Sequence, residues 1–213
     1  MSPAVAENIA FRRLVNVAIF LALIVIGLGA YTRLTDAGLG CPDWPGCYGK
    51  LTAPLHDGHI AEIQRQFPYA VIEPHKAHNE MAHRYVAGLL GLVVLVIFVV
   101  SYLVKHWQRR CSLIASLVIL QALLKMWTVT LNLIPLVEMA QLLGGFFLLS
   151  LLVILRVEIY CRSHSLTPEP GLRKFLPFAY CVLFILLAQI ALGGWTSANY
   201  ASMVCTQFPL CEA

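Results

Sequence analysis

Charge is what this sequence lacks most. Only 12% of its 213 residues are Asp, Glu, Lys or Arg, about half the roughly 25% of a soluble domain. With so little charge and 59% hydrophobic residues, the chain is excluded from the soluble class and belongs in a membrane. Its formal net charge of +4 reflects where lysine and arginine fall between apolar runs and suggests no nucleic-acid partner.

What is present is a series of long apolar runs. A helix needs roughly 17–25 mostly apolar residues to cross a bilayer, and five segments qualify: Leu14–Ala30, Tyr85–Val104, Leu113–Leu131, Leu136–Leu155 and Phe175–Gly194. The expected fold is an all-α integral membrane protein with five transmembrane helices. Lysine and arginine placement orients it. Arg12, Arg13, the turn from Lys105 to Arg110, Arg156, Arg162, Arg173 and Lys174 cluster in short connections, which should be cytoplasmic. Arg33, Lys50, Arg65, Lys76 and Arg84 are spread through a long loop that also carries acids. The N-terminus is then expected inside, with the loop 31–83 and the C-terminus outside.

The first run follows two arginines and ends Gly27-Leu28-Gly29-Ala30, a layout shared with cleaved signal peptides. An internal repeat argues for its retention. Leu28-Gly29-Ala30-Tyr31-Thr32 matches Leu192-Gly193-Gly194-Trp195-Thr196, and without a gap Cys41, Trp44, Pro45 and Cys47 match Cys205, Phe208, Pro209 and Cys211. Such self-similarity points to a duplicated membrane unit. Span 1 then corresponds to span 5, so residues 1–160 form a four-helix unit and residues 161–213 only begin a second. Three further spans are expected beyond Ala213.

The outer loop opens with the turn-forming run Arg33 to Gly40 and continues Cys41-Pro42-Asp43-Trp44-Pro45-Gly46-Cys47. An oxidising compartment favours disulfides within each pair, Cys41 with Cys47 and Cys205 with Cys211. Metal binding competes, but no outer histidine has ligand spacing to both cysteines of a pair. Thiol redox activity is a third option. Asp57 to Phe67 has helical periodicity, suiting either a helix on the membrane surface or a solvated one. His56 and His59 have no partner evident from the sequence.

Pro74 suits the first turn of a helix, so the second spanning helix should begin near His75. Two turns in lies Glu80-Met81-Ala82-His83-Arg84. Glu80 and His83 share a helix face, with Ala87 and Gly91 below the imidazole and Gly88 beside them. An ionisable pair at a membrane boundary marks either a functional site or a solvated interface. Span 3 carries Gln121 and Lys125. The lysine lies about 9 Å below Leu131 at 1.5 Å per residue, close enough to reach outward along its stem. Span 4 carries Glu138 and Gln141 above Gly144 and Gly145, at a depth similar to His83. These positions fit either a pocket between spans 2 and 4 or ordinary packing of small residues with a glutamine as glue.

Arg33-Leu34-Thr35, Cys41 to Gly49, Glu80 to Gly88, Met126-Trp127-Thr128-Val129-Thr130, Leu142 to Gly145 and Gly193-Gly194-Trp195 with Asn199-Tyr200 together resemble the haem A synthase family, in its cysteine-containing bacterial form. The resemblance runs from Arg12 to Cys211. It implies eight helices in two similar halves, in a bacterial cytoplasmic (inner) membrane, and oxidation of a methyl group of haem O to formyl, giving haem A for cytochrome oxidase. It also implies a substrate haem between two histidines in the first half and a haem b cofactor in the second. His83 matches the first-half iron ligand, Glu80 an acid of the chemistry, and the cysteine pair a functional feature. Arg84, Ala87, Gly91, Lys125, Gly144 and Gly145 would line the pocket. The implied partners are haem O, membrane lipid, haem O synthase or cytochrome oxidase assembly proteins, and a second copy of the chain.

Three departures accompany the match. Gln141 stands where the family has its second histidine, Lys125 stands where a glycine is expected, and the spans carrying the haem b ligands are not in the sequence. Three readings follow: a haem A synthase or its N-terminal portion, a protein that binds one haem without oxidising it, and an assembly protein without haem.

Overall fold

The computed structural model describes residues 8–54, 57–68, 71–103, 105–131, 133–166 and 169–201. His56, Cys205 and Cys211 lie outside the described residues. In chain order the helices are α1 (Asn8–Leu34), α2 (Asp57–Gln66), α3 (Pro74–Leu103), α4 (Gln108–Thr130), α5 (Pro135–Ser163) and α6 (Leu176–Ala198), with a 3-10 segment over Pro170–Phe175 leading into α6. No strand occurs among the described residues. Five helices, all but α2, are long and apolar enough to cross a membrane. Even α4, with 23 residues, spans about 35 Å at 1.5 Å per residue, against a hydrocarbon core of about 30 Å. The protein is a multi-pass, all-helical membrane protein.

The helices extend past their apolar runs where polar flanks continue the turn. Pro74 opens α3, where its missing N–H costs nothing, and Pro135 does the same for α5. The residues from Pro74 to Arg84 therefore stand as a polar extension of α3 above its apolar length.

α1, α3, α4 and α5 form a ring. α1 packs between α3 and α5, and α4 packs between the same two, so α3 and α5 face each other across a diagonal. Three of these helices bury residues at the same four–three–four spacing: Phe11, Val15, Ala18 and Ala22 on α1, Leu90, Val94, Ile97 and Ser101 on α3, and Leu148, Leu152, Leu155 and Ile159 on α5. That spacing is the seam of side-by-side helices, and α4 completes it with Cys111, Ile114 and Leu117. Ser101 is accommodated because its hydroxyl donates to the Phe98 carbonyl at 2.6 Å. All these residues lie toward one end of the bundle. The other end, where α1 and α4 finish and α3 and α5 begin, holds the buried polar residues Thr32, Glu80 and Thr128.

A second, smaller core caps that polar end. Cys41, Cys47, Tyr48, Ala53 and Ile63 pack with Ala77 and Met81 of α3, seating the long loop and α2 on the helix. α6 packs against α5 outside the ring; of its residues only Ala198 is buried.

The repeat has a spatial counterpart. Its alignment pairs Arg33 with Ser197 and Asp36 with Tyr200, and these same pairs touch. The Arg33 guanidinium donates to the Ser197 carbonyl and, at 3.3 Å, to its hydroxyl, and the Tyr200 hydroxyl donates to Asp36 at 2.7 Å. Thr32 and Thr196 each bond the carbonyl one turn back, at Leu28 and Leu192. The two aligned segments therefore meet at matching positions.

Candidate functional site

Glu80 sits at the centre of the polar end and is fully buried. Its Oε1 accepts from Arg84 Nη2 at 2.6 Å and lies 3.1 Å from Lys125 Nζ; its Oε2 accepts from the backbone N–H of Cys41 at 3.0 Å. Arg84 also donates from Nη1 to the carbonyls of Asp43, at 2.8 Å, and Gly46. One carboxylate thus fastens α3, α4 and the long loop together. The Lys125 ammonium ends on that carboxylate, with only 14% of the side chain exposed.

The loop beneath this clasp is shaped by its own bonds. Cys41 and Cys47 form a buried disulfide. The Asp43 carboxylate accepts from the backbone N–H groups of Tyr48, at 2.5 Å, and Gly49, at 2.8 Å. Burial pushes the Tyr48 phenol above its ordinary pKa, with the Asp43 and Glu80 carboxylates adding to the effect, so it stays protonated beside Phe67. Asp43→Ala is expected to cost about 1.5–3 kcal/mol, the usual worth of hydrogen bonds to a charged group, read as a lower unfolding midpoint under oxidising conditions. An unchanged midpoint would mean that the disulfide alone shapes the loop.

His83 lies one turn further along α3 and is half-buried. Neither ring nitrogen has a hydrogen-bond partner among the described residues. Its Nε2 lies over Gly29 of α1, where a methyl group would stand 3.3 Å away. Of the small residues expected beneath it, Gly91 backs onto Val118 and Gly88 faces open space. Across the diagonal, Gln141 is half-buried on α5. Gly144 is covered from α4: a methyl group there would fall 2.0 Å from Gln121 Nε2, and this amide nitrogen is buried without a hydrogen-bond partner. Gly145 faces open space, while a methyl group on Gly194 would meet Leu142 at 2.7 Å.

The spacing of the sequence brings Glu80, His83 and Arg84 together on one helix; the fold adds Lys125 from α4. Gly29 and Gln121 are additions of the structure. A buried amide within an apolar span is a signal for Gln121, whereas nothing near Gly29 in sequence announces a histidine above it.

The chain matches the protein-family model COX15-CtaA, described as cytochrome oxidase assembly protein, over residues 12–213. It belongs to that family. Among curated relatives it is 46% identical over 200 residues to a protein of Shewanella oneidensis named Heme A synthase, an alignment covering 93% of this chain and 60% of that protein. It is 27% identical over 225 residues to the Heme A synthase of Neorickettsia sennetsu, covering 94% and 66%. It is 29% identical over 221 residues to that of Sphingopyxis alaskensis, covering 89% and 59%. The chain therefore spans about three fifths to two thirds of the length of these COX15-CtaA relatives. No solved structure matches.

Proposed function

We propose that this chain is the haem O-handling part of a haem A synthase, with the outer end of its four-helix unit, residues 1–160, as the substrate pocket. The observation that carries the reading is the His83 imidazole: free of hydrogen bonds, one turn from a buried carboxylate and set against a glycine. Its neutral nitrogen suits iron. His83 would hold a haem through its single imidazole. The amide of Gln141 is a poor iron ligand, so the fit is one-sided. Haem O brings the iron and the methyl group to be oxidised. Converting methyl to formyl also needs an oxygen source and an electron acceptor, and no residue here is assigned to a haem b cofactor.

In this reading Glu80 holds a proton-accepting position beside the pocket, Arg84 and Lys125 balance its charge, and the clasp keeps the loop closed over the site. The pocket faces the outside of a bacterial cytoplasmic membrane, with the N-terminus inside, as the arginine and lysine distribution supports. Haem O synthase, oxidase assembly proteins and a second copy of the chain are its proposed partners. A second reading, haem binding without oxidation, is favoured by Gln141 and by the engagement of both Glu80 oxygens.

The test is to produce the chain with a haem O source, purify it, record the haem spectrum and identify the extracted haem. The expected result is bound haem O or haem A with a spectrum lost in His83→Ala, and a shift toward a bis-histidine spectrum in Gln141→His. Haem A formed by the chain alone would rule out binding without oxidation. Wild-type protein without haem would overturn both readings, and a spectrum unchanged by His83→Ala would move the iron to another ligand.

A further inference from the structure

At the end of the bundle opposite Glu80, the start of α4 and the end of α5 enclose an open recess of about 680 Å³. Trp107, Arg110, Glu158, Arg162, Ser165 and Leu166 are among the residues lining it. Glu158 is taken up by Arg110, whose guanidinium donates to it. Arg162 has no acidic partner among the described residues; its guanidinium lies over the Trp107 ring at 5.9 Å. The recess therefore keeps an uncompensated, planar cation held on an aromatic face. The first turn of α4 opens beside it with no side-chain cap on its N–H groups, which adds positive potential.

We propose that this recess binds the phosphate of an anionic phospholipid headgroup. Arginine presents paired donors that match phosphate oxygens, and a tryptophan with basic neighbours at the end of spanning helices is placed where headgroups lie. The apolar part of the lining distinguishes a lipid from a free phosphate ion. Trp107 and Leu166 give the glycerol and upper acyl carbons a surface, while Arg162 and the Ser165 hydroxyl face the phosphate. Lys105 and Arg109, on the α3–α4 turn and the first turn of α4, carry further positive charge on the same side. The inference uses none of the haem pocket and stands whether or not the chain binds haem.

The test uses the full chain, delipidated in detergent, with phosphatidylglycerol, phosphatidylcholine or inorganic phosphate added separately. Phosphatidylglycerol at roughly ten times its Kd is expected to raise Tm by about 3–5 °C, as mass action and the stability of a chain this size imply. Phosphatidylcholine and inorganic phosphate are expected to leave Tm unchanged. R162Q is expected to lose at least half of the shift, while R173Q, on the 3-10 segment and not among the lining residues, keeps it. Arg162 is exposed, so R162Q should retain the lipid-free Tm. Ser165→Asp, which brings a negative charge to the recess outside any helix, provides a second variant and is expected to lose the shift too. A shift of equal size with phosphatidylcholine or with inorganic phosphate would overturn the proposal, as would a full shift in both R162Q and Ser165→Asp.

Discussion

Glu80→Ala is expected to destabilise the protein by about 3–5 kcal/mol, the cost of stranding a buried ionic partner. The reason is the way its two cations are arranged. Arg84 and Lys125 both contact the same oxygen, Oε1, so removing the carboxylate leaves two like charges close together and little exposed. The Cys41 N–H loses its acceptor in the same step. Lys125→Met should cost less, because Glu80 keeps Arg84 and the Cys41 N–H. The double variant Glu80→Ala/Lys125→Met should recover part of the loss, since one stranded charge disappears with its partner. Unfolding by denaturant titration in detergent reads all three. A Glu80→Ala protein within about 0.5 kcal/mol of wild type, the range of ordinary surface changes, would sink this account of the clasp. A loss of activity in a Glu80 variant is informative about chemistry only where stability is preserved. Glu80→Gln keeps the shape but not the charge, so it leaves the same two cations unbalanced and its kinetics are read only beside its measured stability.

Gly40→Ala is expected to lift the cysteine loop from α3. A methyl group on Gly40 would lie 2.6 Å from the Lys76 carbonyl carbon and oxygen and 2.8 Å from the Ala77 nitrogen. These are backbone atoms of a helix, so no rotamer change relieves the overlap. The loop has to move, and Cys41, the next residue, carries both the disulfide and the N–H that Glu80 accepts. The expected cost is at the upper end of the about 1–3 kcal/mol typical of overpacking, accompanied by faster reduction of the buried Cys41–Cys47 bridge by mild reductant. Thiol labelling against time measures this directly. Gly88→Ala, with nothing within 4 Å of the added carbon, is the matched control and should label at the wild-type rate. Equal rates in both variants would show that the loop is not seated through Gly40.

Much of the architecture is written in local pattern. The five spans are legible because an apolar run long enough to cross a bilayer has few alternative uses, and the start of α3 because proline has one favoured place in a helix. The Cys41–Cys47 bond could be expected from spacing and compartment. The less legible parts depend on distant partners. Nothing around Lys125 says that its charge meets Glu80. The ring order of the helices, which sets α3 and α5 across a diagonal with Gln121 reaching from α4 onto Gly144, follows from packing that no single helix encodes. Gly29 and Gly40 look like ordinary flexible residues until the fold brings an imidazole over one and a helix backbone against the other.

The meeting of Arg33 with Ser197 has a consequence for the two aligned segments. Arg33 packs against the residue that aligns with it, so an arginine at both positions would confront an arginine. In the fold as it stands, one guanidinium bonds Ser197, lies 3.7 Å from Glu138 and stacks over the Tyr200 ring at 4.2 Å. Two guanidinium groups there would repel each other at short range. The aligned segments therefore differ here: one keeps the cation, the other supplies its acceptor, and the difference between them holds the pair together.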